Sequence, residues 1–194
     1  MNYLAHAVLA KPNSYSLVGN LLGDFCKGVD TASLHPQVRA GLHNHRATDR
    51  FTDQHAIVKA AKAGFSARRR RFAAVALDVL FDHFLIRHWQ QFYAEPFADY
   101  KSRLYCQLND AMPLMPATMR DTMQRVCRND WFASYQQLAT VGQALDHIAS
   151  RIRFANNFAG IVEEISPRYS RLEQDFLQFY PQLQCHLRQL ALEH

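Results

Sequence analysis

A chain of 194 residues, 48% hydrophobic and 20% charged, holds enough apolar side chain for one good-sized core, and nothing in it requires two domains. Its apolar runs are far too short to span a bilayer, and Met1 to His6 lacks the basic and long apolar regions of a secretory signal, so the reading is a cytoplasmic protein with no membrane segment. A net charge of +5 predicts attraction to something negative: nucleic acid, an anionic membrane surface, an acidic protein or a phosphate-bearing substrate.

Seven glycines are few, and no alternating β-branched runs flank an Asn-Gly or Asp-Gly turn, so the hairpin signals of a β protein are missing. Apolar residues recur at helical spacing instead. They predict helices over roughly 2–10, 15–28, 36–64, 69–93, 97–111, 116–128, 131–150 and 160–190. Pro12-Asn13 separates the first two, Gly64 to Ser66 ends the third, Glu95-Pro96 stops the fourth, Pro113 to Pro116 divides the middle, and Ser166-Pro167 interrupts the start of the last. The expectation is an all-α, single-domain helical bundle over residues 1–194. Cys26, Cys106, Cys127 and Cys185 form no Cys-x-x-Cys pair, which predicts reduced thiols rather than a zinc knuckle or redox motif. The closing Leu192-Glu193-His194 looks like the remnant of an expression tag and carries no functional weight.

In the third helix, 100° per residue puts Val38, Leu42, His45, Asp49, Asp53, Ala56 and Ala60 on one otherwise apolar arc. The fourth is apolar almost all round and so is predicted to be central, yet Asp78 and Asp82 fall among Ala74, Val75, Phe81, Leu85 and Trp89. Burying an ionised carboxylate costs several kcal/mol or more unless a cation or hydrogen-bond donors compensate, so carboxylates on inward faces imply a shared partner. His45 with Asp49, and Asp78 with Asp82, are spaced i, i+4 and can each converge on one point. Asp24 shares an arc with Leu17, Leu21 and Gly28, and His6 lies in the first helix. Mixed imidazole and carboxylate ligands suit Mn²⁺ or Mg²⁺ better than a thiolate-preferring metal. The bland alternatives are Asp49 and Asp53 paired with Arg46 and Arg50, Asp24 as a helix-end residue, and His6 or His43 bonded to a backbone group. Asp78 and Asp82 are the hardest to explain that way, because no Lys or Arg lies within one turn on their arc.

Arg68, Arg69, Arg70 and Arg71 stand at the start of the predicted central helix, where cations oppose the macrodipole by a few tenths of a kcal/mol each. An anionic partner would offset that, which makes the run a candidate docking surface. The stripe Phe81, Phe84, Trp89, Phe92 and Tyr93 is predicted to be core.

Five blocks carry a resemblance: Met-Asn-Tyr-Leu-Ala-His-Ala-Val-Leu from Met1, Gly-Asn-Leu-Leu-Gly-Asp-Phe from Gly19, Gly-Leu-His-Asn-His-Arg-Ala-Thr-Asp-Arg-Phe-Thr-Asp from Gly41, Leu-Asp-Val-Leu-Phe-Asp-His-Phe-Leu-Ile-Arg-His-Trp from Leu77, and Phe-Tyr-Pro from Phe179. In this order they resemble the bacterial acyl carrier protein phosphodiesterases, a family similar to a divergent branch of the all-helical HD phosphohydrolases. The resemblance implies an HD-domain-like fold and hydrolysis of the phosphodiester between 4′-phosphopantetheine and a serine of holo acyl carrier protein. It implies Mn²⁺ or Mg²⁺ held by a set drawn from Asp24, His45, Asp49, Asp78, Asp82 and His83. Asp24, His83 and His6 are its candidate catalytic residues, with His83 or His6 as the acid. Asp82-His83 reverses the His-Asp order of the wider HD pattern. A small, acidic carrier as partner, with neither nucleic acid nor membrane, would give the arginine run its purpose. Competing readings are an HD-type hydrolase of nucleotides or another small phosphodiester, and a basic helical module that binds without chemistry.

Overall fold

The computed structural model describes residues 1–193, and every regular element among them is a helix. The chain opens with α1 (Tyr3–Val8) and α2 (Ser14–Leu22). Asn13 caps α2, its side-chain oxygen accepting from the Ser16 N–H at 2.9 Å. Beyond Leu22 the chain tightens into a 3₁₀ turn, Gly23–Phe25, and Gly28 then takes a left-handed conformation at φ 79°. α3 (Pro36–Gln54) begins with proline at its first position, where no N–H is needed.

α2 and α3 meet main chain to main chain. A Cβ on Gly19 would stand 2.2 Å from the Val38 carbonyl oxygen, and one on Gly41 would stand 2.7 Å from that of Ser16. The helix expected over 36–64 divides at His55, whose extended backbone (φ −67°, ψ 133°) separates α3 from α4 (Ala56–Ala63). Neither proline nor glycine marks that break.

The arginine run lies mostly in a loop and a 3₁₀ turn, Arg70–Phe72, and α5 (Ala73–Arg87) starts only after it. α5 is central, as its composition predicts: Ala73, Ala76, Leu77 and the unbroken stretch from Val79 to Ile86 are buried. His88 divides it from the single turn α6 (Trp89–Phe92). Then come α7 (Phe97–Ala111), α8 (Ala117–Arg128), the short α9 (Trp131–Ser134), α10 (Leu138–Arg151), the short α11 (Val162–Ile165) and α12 (Tyr169–Leu190). A 3₁₀ turn at Ser166–Arg168 makes the interruption expected there, whereas Pro181 is accommodated inside α12.

Phe81 packs on Phe176 and Phe179 with ring centroids 5.4 and 5.6 Å apart, and Phe84 lies 5.9 Å from Phe176. Each such ring, fully buried, contributes roughly 1.5–3 kcal/mol, and together they tie α5 to α12. No helix among the described residues is long and apolar enough to cross a membrane.

Candidate metal centre

His45 and Asp49 stand one turn apart on α3, with His45 Nε2 3.0 Å from Asp49 Oδ2. The other ring nitrogen, Nδ1, donates to the Asn20 carbonyl at 2.7 Å. That carbonyl lies in the last turn of α2, where helix geometry leaves acceptors free. The bond fixes the ring so that Nε2 faces inward, as metal-ligating histidines require. Gly23 clears the space, because a Cβ there would stand 2.0 Å from His45 Nε2.

His6, from α1, stacks on His45 with ring centroids 3.9 Å apart and planes at 20°. Its Nε2 is 3.2 Å from Asp49 Oδ1. Both His6 nitrogens are buried without a hydrogen bond of acceptable geometry. A buried imidazole with two unsatisfied nitrogens is costly, which a cation beside Asp49 would relieve. The ligand atoms of His6, His45 and Asp49 all lie within 4.8 Å of one another.

Two further groups bear on Asp49. The Met1 α-ammonium is buried 3.3 Å from Asp49 Oδ1 and 2.9 Å from Asp78 Oδ1. Burial alone would lower its pKa, but the two carboxylates raise it to about 10. No side-chain pattern announces this group, since a terminal amine has no letter in the sequence. Asp24, from the 3₁₀ turn, stands exposed at the rim. The surrounding protein raises its pKa and the Asp49 and Asp78 charges push the same way, while His45 opposes them.

These groups tune one another. Burial lowers the His6 pKa to about 4, so the ring stays neutral, the form that ligates a metal. Burial works against His45 too, but its bond to Asp49 and the charges of Asp49 and Asp24 raise its pKa overall. Against the upward push of burial, the bond from His45, the close approach of His6 and the Met1 ammonium hold the Asp49 carboxyl well below the usual range. The Asp49 and Asp78 side chains are 38% and 36% exposed, against 1% and 5% for His6 and His45. The centre thus has a buried floor of histidines and an open rim of carboxylates.

Asp82 and His83 do not join that group. Asp82 is fully buried, as periodicity predicts, but its two oxygens accept from the Leu4 and Ala5 N–H groups at 3.0 Å each. It therefore caps the free amides at the start of α1, a favourable seat for a carboxylate, and so holds the helix that carries His6. Burial raises its pKa to about 7, with the two N–H bonds pulling the other way. The His83 ring turns towards α12: Nδ1 donates to the Tyr135 carbonyl and Nε2 accepts from the Tyr169 hydroxyl, both at 2.7 Å. Burial lowers the His83 pKa and the ring is neutral. Asp53 is exposed and pairs with Lys62 at 2.6 Å, and His43 is on the surface.

The arginine run is bonded to the loop between α10 and α11. Arg69 donates to the Asn157 and Ala159 carbonyls at 3.0 and 2.8 Å and pairs with Glu163 at 3.4 Å. Arg68 reaches the Asn157 side chain, Arg70 the Phe65 carbonyl and Arg71 the Ala155 carbonyl. Arg68, Arg70 and Arg71 remain exposed, while Arg69 is half-buried.

Residues 1–183 match the family described as acyl carrier protein phosphodiesterase. Proteins of that name are similar to this chain along nearly their whole length. The one from Serratia proteamaculans is 38% identical over 186 residues, covering 94% of this chain and 95% of that protein. The one from Yersinia enterocolitica is 37% identical over 182 residues, covering 93% and 94%. That of Escherichia coli O157:H7 is 33% identical over 193 residues, covering 99% and 100%. No solved structure matches the chain.

Proposed function

The chain belongs to the acyl carrier protein phosphodiesterase family, and from that premise we propose that it hydrolyses the phosphodiester between 4′-phosphopantetheine and a serine of holo acyl carrier protein, releasing the apo carrier. His6, His45 and Asp49 would hold a divalent cation, Mn²⁺ or Mg²⁺, with Asp78 and Asp24 within electrostatic reach. One observation carries the metal reading: His6 is buried beside Asp49 with neither ring nitrogen bonded. When bound, such a cation would polarise a phosphoryl oxygen and make hydroxide available near neutral pH. A histidine and carboxylate set on an all-helical scaffold is in keeping with a divergent HD-type phosphohydrolase.

The residues of the chain divide the remaining work. His45, oriented by the Asn20 carbonyl and given room by Gly23, presents Nε2 inward. Asp82 holds α1, and with it His6, in register. A serine alkoxide leaves poorly unless protonated or otherwise stabilised, and Asp24, the exposed rim carboxyl whose pKa is raised, is the group we place for a catalytic role there. Arg68, Arg70 and Arg71 would steer the acidic carrier by charge, while Arg69 is occupied with Glu163 and the loop carbonyls.

The test is the mass of holo carrier incubated with the protein and Mn²⁺, with and without chelator. Loss of the phosphopantetheine mass only in the metal-loaded reaction supports the reading. An unchanged carrier together with turnover of nucleotides would assign the protein to small phosphodiesters instead.

A further inference from the structure

A cleft of about 360 Å³ is lined by Val8, Leu9 and Asn44 and closed by the end of α12. Its polar lining includes Lys11, Asn44, Tyr93, Gln184 and Arg188, and the only acidic side chain in it is Glu193. Glu193 does not hang free. One carboxylate oxygen accepts from the Ser16 hydroxyl and the other from Asn20 Nδ2 at 3.0 Å.

The two donors form a built seat. Asn20 is 0% exposed and Ser16 is 2% exposed. Ser16 Oγ accepts from the Lys11 backbone N–H at 2.8 Å, which turns its proton outward to the carboxylate. Asn20 Oδ1 accepts from Asn44 Nδ2 at 2.9 Å, which fixes the amide so that Nδ2 faces the Glu193 carboxylate. Both donors are therefore oriented before any anion arrives, and Lys11 and Arg188 add positive charge to the same cleft. The tail reaches the seat through Ala191, which ends α12 in a left-handed conformation at φ 43° that L-residues adopt only at a cost.

We propose that Ser16 and Asn20, beside a cleft whose lining carries Lys11 and Arg188, form a second oxyanion-binding site, for a phosphate or carboxylate group, and that Glu193 is its resident occupant. The site is separate from the proposed phosphodiester chemistry. It touches the centre at one point, Asn20, whose carbonyl orients His45 while its side chain holds the anion.

The experiment titrates the protein with inorganic phosphate and, separately, acetate, following backbone amide resonances in the presence of chelator so that the metal centre takes no part. Glu193→Ala should move the amides of Lys11, Ser16, Asn20 and Asn44 with phosphate or acetate at least about tenfold more tightly than the unaltered chain. Adding Ser16→Ala to that variant should abolish the response. A phosphate preference would mark a tetrahedral oxyanion and an acetate preference a carboxylate. No response to either anion in Glu193→Ala, with its melting transition intact, overturns the proposal. An unchanged response in the double variant does so as well. Neither result bears on carrier hydrolysis, which the mass assay reads on its own.

Discussion

Gly23→Ala is the sharpest test of the candidate centre, because backbone and side-chain effects point in opposite directions. Gly23 has φ −52° and ψ −38°, which alanine adopts without strain. On backbone grounds alone the substitution should stabilise by about 0.4–1 kcal/mol, through a less flexible unfolded chain. The new methyl, however, would stand 2.0 Å from His45 Nε2 and Cδ2, about 1.4 Å short of ordinary contact. The ring cannot swing aside cheaply, since it is stacked on His6 at 3.9 Å and tied through Nδ1 to Asn20. Forcing it over should cost roughly 1–3 kcal/mol of overpacking, so the net effect is a destabilisation of about 0–2.5 kcal/mol. The larger loss should be functional. Displacing a ligand by about 1 Å should weaken Mn²⁺ binding or turnover on the order of 100-fold. Calorimetric Mn²⁺ titration, thermal melting and the carrier mass assay read the three quantities on one preparation. Gly142→Ala is the control, since its methyl would meet only Val162 side-chain atoms at 3.3 Å and beyond. If Gly23→Ala melts higher than the parent and binds Mn²⁺ equally well, His45 is not a ligand and the centre is misassigned.

Asp49→Asn and His6→Ala should each strip bound Mn²⁺ from protein purified without chelator, read by elemental analysis; metal at the parental ratio in both would remove the cation from the account. Asp82→Ala leaves the Leu4 and Ala5 N–H groups buried without acceptors, at about 1–3 kcal/mol each. Urea denaturation should therefore show a loss on the order of 2–6 kcal/mol, and a change within 0.5 kcal/mol would refute the capping role. The unfolded chain ionises Asp82 near pH 3.9 and the folded protein near 7, so the folded state holds the extra proton in between. Stability should accordingly fall as pH rises through that window, and the slope should vanish in Asp82→Asn. Reversing the charges of Arg68 and Arg71 should raise KM for the carrier and flatten its salt dependence with little change in kcat. Arg69→Ala should instead speed proteolysis of the 152–161 loop that it binds.

Periodicity was a partial guide to where residues face, since Asp53, Ala56, Ala60 and Val75 on its inward arcs are exposed, and a poor one to what they touch. It located His45 and Asp49 on one inward stripe, because spacing of i, i+4 is a property of the helix itself. It also buried Asp82 correctly. What it could not see was that the amides of α1, nearly eighty residues earlier, would meet that carboxylate and satisfy it without a metal. His83 follows Asp82 by one position and so by 100° of rotation, which turns it to Tyr135 and Tyr169. His6 came from the blocks that carry the resemblance, since a six-residue helix is too short for a period to register. The division at His55 left no trace because no breaker residue causes it. Glu193 belongs to a tag-like ending with no pattern of its own, and only tertiary folding brings it to Ser16 and Asn20.

The contact of Gly19 with Gly41 fixes more than two helices. Elsewhere in the bundle, distances between elements are set by side chains that repack when one of them changes size. Here two rigid peptide surfaces abut with nothing compressible between them. The separation of Asn20 from His45 is therefore insulated from drift in the aromatic layers around α5 and α12. Large substitutions there should alter how strongly the protein folds while leaving untouched the sub-ångström aim of one imidazole.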